Sequence, residues 1–117
     1  MGLRYWNREN IPKYWVLNLE SEIERQMKFS VLGSGSSGNS SYIEMGNKKF
    51  LIDAGFSGKR LVEKLNNIER RIEDVNGIFV THEHSDHIQG LGVVSRKYNI
   101  PIYLHEITYG IIRDKIG

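Results

Sequence analysis

A chain of 117 residues is long enough for one small domain. It has no cysteine, which excludes disulfides and thiolate metal sites, and its net charge of +2 is too small to argue for a nucleic-acid partner by itself. No apolar run is long enough to span a bilayer, and Met1 to Asn10 lacks the apolar region of a leader peptide, so a cytoplasmic protein with no membrane partner is expected.

Met1 to Gln26 reads differently from the rest. It carries both tryptophans, Trp6 and Trp15, together with Pro12, and no catalytic constellation. Asn18 to Glu24 has the pattern of a short helix capped by Asn18 or Ser21. The segment either covers an apolar surface or is disordered, and its sequence does not choose between these.

Lys28 to Leu32 alternates in the manner of a strand. The run Gly33-Ser34-Gly35-Ser36-Ser37-Gly38 then matches the spacing of a dinucleotide-binding fingerprint, with Asp53 at a plausible distance for a ribose contact. That fingerprint needs a helix next. Ser40 to Met45 and Lys48 to Ile52 are instead two strand-like runs around a Gly46-Asn47 turn, so the dinucleotide reading is set aside. The loop has two readings. It is a flexible connection between strands, or Ser34, Ser36, Ser37 and Asn39 offer hydroxyls, an amide and backbone N–H groups to a substrate oxyanion or phosphate. Asp53, in Asp53-Ala54-Gly55 at a strand end, is either a turn residue or the partner that orients a ligand histidine.

Ser57 to Leu65 has helix spacing, with Leu61, Val62 and Leu65 as its apolar stripe and Lys59, Arg60 and Lys64 as a solvated face. A charged connection leads to the strand Gly77–Val80. Ile88 to Tyr98 is expected as a helix, Ile100 to Leu104 as a strand, and His105 to Ile116 as a helix broken at Gly110. His105 is expected to be a satisfied polar residue rather than a ligand.

Between the strand Gly77–Val80 and the following helix stands Thr81-His82-Glu83-His84-Ser85-Asp86-His87, with three of the four histidines of the chain. Neutral imidazole and carboxylate are donors for zinc and related divalent ions. Such groups do not bury cheaply without a cation. His82 and His84, two apart at a strand end, point the same way. Asp86 and His87 follow in a turn, so one loop can serve two adjacent metal positions. Metal pairs of that kind hydrolyse esters and phosphodiesters with a shared water. The helical metalloprotease pattern is excluded because the position four after His82 is Asp86.

His82-x-His84-x-Asp86-His87 resembles the signature of the metallo-β-lactamase superfamily, and Phe50-Leu51-Ile52-Asp53-Ala54-Gly55 resembles its second-strand segment. Phe29 to Asn39, Gly90-Leu91-Gly92-Val93 and Ile100-Pro101-Ile102-Tyr103 are similar to the YycJ-type branch. The resemblance runs from about Met27 to the end of the chain, which makes residues 1–26 an extension and residues 27–117 the N-terminal part of the domain. It implies an α/β (α+β) fold: a mixed sheet with helices on one face, the N-terminal half of an αββα sandwich. It also implies two divalent metals, zinc or manganese, with His82 and His84 on the first and Asp86 and His87 on the second. Asp86 would orient the water between them, and Asp53 would steady a ligand histidine.

The implied activity is that of a metal-dependent hydrolase, a phosphodiesterase or exonuclease acting on DNA. Hydrolysis of a small ester or thioester, as in glyoxalase II-like relatives, is the nearest alternative. Family members complete the two sites with later histidines and a bridging aspartate, which would lie beyond Gly117. The chain is therefore expected to carry an incomplete site, to be weakly active or inactive alone as a truncated metal-binding fragment, and to be able to self-associate through an uncovered sheet face.

Overall fold

The computed structural model describes residues 3–5, for their backbone, and residues 27–116. The helix expected between Asn18 and Glu24 and the tryptophans Trp6 and Trp15 lie outside the described residues.

Six strands form one mixed sheet. They are β1 (Leu3–Tyr5), β2 (Met27–Gly33), β3 (Ser40–Met45), β4 (Lys48–Ile52), β5 (Gly77–Phe79) and β6 (Ile102–Leu104), in the spatial order β1-β6-β5-β4-β3-β2. β2, β3 and β4 are antiparallel neighbours, and β4, β5, β6 and β1 pair in parallel. The helices are α1 (Gly58–Asn67), α2 (Ser85–Ile88), α3 (Leu91–Tyr98) and α4 (Glu106–Ile116), with a 3₁₀ turn at Ile72–Asp74.

The pairing register explains why the helices gather on one side. Tyr42, Leu51, Ile78 and Ile102 lie opposite one another across four strands, and all are buried. Period-2 alternation puts them on a single face. They share one apolar cluster with Leu61 and Leu65 of α1, Leu91 and Val94 of α3, and Ile112 and Ile116 of α4. The other face carries Phe29, Ile43, Phe50, Ile52, Phe79 and Tyr103. There the rings of Phe50, Phe79 and Tyr103 follow one another at centroid separations of 5.3 Å. Toward the β2 edge this face is open: Met27, Phe29 and Val31 are each about half exposed.

Three expected boundaries move. The helix expected over Ile88 to Tyr98 is two helices, because the chain turns at Gly90. A Cβ there would lie 2.2 Å from the Phe56 carbonyl oxygen, and the Gly90 N–H donates to the Ala54 carbonyl at 2.9 Å. The expected break at Gly110 is absent: α4 runs through it on an open surface, where a glycine costs only about 1 kcal/mol relative to alanine. The strands expected at Gly77–Val80 and Ile100–Leu104 are shorter, although the Val80 N–H still donates to the Tyr103 carbonyl. Leu3–Tyr5, within the stretch read as an extension, forms the sheet edge beside β6.

A polar cluster ties the connection after α1 to the sheet. The Tyr42 hydroxyl donates to Glu44 Oε1 at 2.7 Å, Arg70 Nε donates to the same oxygen at 2.9 Å, and Lys28 Nζ lies 3.8 Å from Oε2. The Tyr42 hydrogen bond, together with the bond and charge of Arg70, outweighs burial and holds the Glu44 carboxyl below its usual range. Burial, followed by the bond and charge of Glu44, pushes the Tyr42 hydroxyl far above its usual value. A carboxyl whose folded value is depressed contributes stability above its unfolded value, and that contribution is lost as pH falls through the folded one. Glu44→Gln is therefore expected to cost about 1–3 kcal/mol at pH 7. It should also flatten the loss of stability on acidification below about pH 4, near the unfolded glutamate value. Urea titrations of both proteins at neutral and acid pH check this, and parallel pH profiles would contradict it.

Candidate metal centre

Three loops meet at the same end of the sheet. They are the glycine-serine loop after β2 (34–39), the turn after β4 (53–55) and the segment that runs from the end of β5 through α2 (80–88). Backbone hydrogen bonds join them: Asn39 N–H to the Asp86 carbonyl at 2.7 Å, Gly55 N–H to the Asn39 carbonyl at 2.9 Å, and Ala54 N–H to the His87 carbonyl at 2.8 Å. Gly55 makes this meeting sterically feasible. A Cβ there would lie 1.9 Å from the Asp86 carbonyl oxygen and 2.5 Å from the Asn39 nitrogen.

Asp53 occupies the centre. It is 4% exposed and sits at φ 65°, a left-handed conformation that aspartate tolerates better than most residues. Its backbone N–H donates to the Phe79 carbonyl at 2.7 Å, and Ser40 Oγ donates to its carbonyl at 2.8 Å. The carboxylate then takes three bonds: Thr81 N–H on Oδ1 at 2.8 Å, Thr81 Oγ1 on Oδ2 at 2.6 Å, and His87 Nδ1 on Oδ2 at 2.6 Å. A carboxylate only accepts, so the proton of His87 lies on Nδ1. The single proton of the Thr81 hydroxyl is spent on Asp53, so Thr81 Oγ1 accepts from His82 Nδ1, 2.9 Å away. One aspartate thus sets two imidazoles, His87 directly and His82 through Thr81. Both are left with Nε2 as the free ring nitrogen.

The rings of His82 and His87 stand 3.8 Å apart between centroids, and His84 meets His82 edge-on at 5.2 Å. His82 and His84 therefore share a side, as their spacing implies, although the strand ladder ends before them at Phe79. His84 is open to solvent, with Nε2 4.0 Å from Glu83 Oε1. Asp86 Oδ2 lies 3.8 Å from His87 Nε2. Among the described residues, no group of three or more histidine, aspartate or glutamate side chains is placed to hold a metal ion. The donors fit a divalent cation in their chemistry, since imidazole Nε2 atoms and a carboxylate come from one loop. In their arrangement they form pairs, and no three of them converge.

The loop expected to meet substrate divides in two. Ser34, Ser36 and Ser37 are exposed, whereas Asn39 is occupied internally. Its Oδ1 accepts from Gly35 N–H at 3.0 Å, and its Nδ2 reaches the Gly35 carbonyl at 2.7 Å, the Asp86 carbonyl at 3.1 Å and Asp86 Oδ2 at 3.0 Å. Asn39 thus braces the loop against Asp86, with its amide protons committed inside the protein. His105 accepts the Ile107 N–H at the start of α4, as a satisfied polar residue would. Thr81 escaped the sequence reading because a threonine after a strand looks like one more strand residue.

The profile of the metallo-beta-lactamase superfamily matches residues 33–117. The chain is 52% identical over 91 residues to the exodeoxyribonuclease YycJ of Bacillus anthracis, an alignment covering 78% of this chain and 34% of that protein. It is 54% identical over 82 residues to the exodeoxyribonuclease WalJ of Streptococcus pneumoniae strain D39, covering 70% and 30%. Among solved structures, the Rm3 metallo-beta-lactamase superposes with a TM-score of 0.56 at 28% identity, over 63% of this chain and 28% of that one. The chain therefore spans about a third of the length of the curated relatives it matches.

Two substitutions separate backbone from carboxylate. Asp53→Asn is compatible with the left-handed backbone but turns one acceptor into a donor that faces Thr81 or His87. It is expected to cost about 1–3 kcal/mol by denaturant titration, and unchanged stability would contradict the network. Gly55→Ala drives a methyl group into Asp86 and Asn39. It is expected to cost a similar 1–3 kcal/mol or more and to loosen amide-exchange protection at Asn39 and Gly55.

Proposed function

The chain belongs to the metallo-beta-lactamase superfamily, and from that membership we propose that it carries part of the centre of a metal-dependent phosphodiesterase that degrades DNA as an exonuclease. The observation that carries this reading is the Asp53 network, which leaves the Nε2 atoms of His82 and His87 free, that of His87 3.8 Å from Asp86 Oδ2. The substrate class is supported by two relatives, each above 50% identity, that are named exodeoxyribonucleases.

In this reading His82 and His84 hold one zinc or manganese ion, and Asp86 and His87 hold a second. Bound there, the ions would supply Lewis acidity toward water and the phosphodiester. The residues of the chain do the rest. Asp53 keeps the Nδ1 protons in place, so each ring offers Nε2 without a tautomer change. Asp86, braced by Asn39, orients the attacking water by accepting its hydrogen bond. Ser34, Ser36 and Ser37 offer hydroxyls to the phosphate oxygens.

After exhaustive dialysis the chain should retain zinc or manganese, and the His82→Ala, His84→Ala double variant should not; equal metal content in the two would defeat the proposal. Asp53→Asn should weaken retention by roughly 10–100-fold. For catalysis, residues 27–117 can replace the matching segment of the Bacillus anthracis relative. The chimera should degrade end-labelled duplex DNA and lose that activity with Asp86→Ala. Thioester hydrolysis without DNA degradation would replace this reading with a small-molecule one.

A further inference from the structure

Phe56 follows the Asp53-Ala54-Gly55 turn and is buried. One side of its ring lies against the glycine-serine loop: a Cβ on Gly33 would sit 2.3 Å from Phe56 Cζ, and one on Gly38 2.4 Å from Cε1. Two cations of α1 lie over the same ring, the Arg60 guanidinium at 5.0 Å and the Lys64 ammonium at 4.5 Å from its centroid. These cations therefore stand one aromatic ring away from the loop that bears the exposed Ser34, Ser36 and Ser37. Through Asn39, that same loop braces Asp86.

The pair is electrostatically uncompensated. Arg60 and Lys64 are four apart on one helix, a spacing at which like charges disfavour the helix. Among the described residues neither forms an ion pair with a carboxylate, and Glu63 faces the groove between α1 and α3 beside Lys59 and Lys97. The first turn of α1 holds no acidic residue. The ring fixes where the charges stand, because cations over an aromatic face are held rather than free to sweep through solvent.

We propose that Arg60, Lys64 and the hydroxyls of Ser34, Ser36 and Ser37 form a subsite for the phosphodiester backbone of a nucleic-acid strand, leading it toward Asp86. This deepens the nuclease reading and rests on it for the identity of the ligand. Fixed cations one ring away from a loop of hydroxyl donors match the spaced anionic oxygens of a polynucleotide, and they grip it whatever its bases. The charges provide affinity and register, and cleavage belongs to the histidine loop.

The test is fluorescence anisotropy with a labelled duplex and a labelled single strand, in chelator so that no cleavage intervenes. The 117-residue chain is compared with the Arg60→Gln, Lys64→Gln double variant, which keeps side-chain stems over Phe56 while removing both charges. The expected result is a loss of roughly 5–20-fold in affinity, with the slope of log affinity against log salt shallower by about 1–2, since each phosphate contact contributes about 0.9 for duplex DNA. Arg60→Lys, which keeps the charge, should bind within about twofold of the parent, and the Arg113→Gln, Lys115→Gln pair on α4 controls for net charge. Equal weakening by the α4 pair, or an unchanged salt slope on losing Arg60 and Lys64, would overturn the subsite. Charge-dependent binding at Arg60 and Lys64 beside an inactive chimera would uphold the subsite and defeat the nuclease reading. An active chimera beside binding indifferent to those two residues would do the opposite.

Discussion

The carboxylate of Asp53 is the constraint on which the rest of this end of the molecule depends. A buried carboxylate needs several hydrogen bonds to offset its desolvation. Here Thr81 supplies two and His87 the third. Satisfying the acid therefore dictates the course of the loop after β5 and the proton positions of two imidazoles. The left-handed backbone at Asp53 is part of the same solution, since it turns the chain out of β4 while its N–H keeps its bond to β5. The turn after β4 and the segment after β5 are fixed relative to one another by a group that itself is almost wholly buried.

The sheet places this acid. Its two faces are sorted by register: one row of apolar residues is taken up by the helices, and the other carries aromatic rings that close over Gly77. A Cβ at Gly77 would collide with the ring of Tyr103. The parallel run of β4, β5 and β6 sends the strand ends and their loops to a common edge, as parallel sheets generally do. The site is a property of that topology as much as of any motif.

Much of this was legible in one sequence. The loop from His82 to His87 declared itself by donor type and spacing, the hairpin by Gly46-Asn47, and Asp53 by standing at the end of an apolar strand. What stayed hidden depends on contacts between loops. The turn at Gly90 exists because the backbone of Phe56 passes close by, which no periodicity encodes. Asn39 has the composition of a ligand-facing loop residue, and only the proximity of Gly35 and Asp86 turns it inward. Thr81 carries the Asp53 network to His82 through a hydroxyl whose orientation depends on its neighbours. The basic residues of α1 read as an ordinary solvated face until the ring beneath them was seen to touch the serine loop.

The pairing of Leu3–Tyr5 with β6 bears on how the protein is made. Its two strands lie roughly a hundred residues apart in sequence, so the edge they form closes nearly the whole chain into one loop. On the ribosome, β1 emerges first and has no partner until β6 follows, about 5–20 s later at typical elongation rates. Once β5 has emerged, the edge that β6 will cover is unpaired as well. Synthesis thus imposes an order: the antiparallel β2-β3-β4 meander forms early from neighbouring residues, and the parallel half of the sheet is complete only once β6 has emerged.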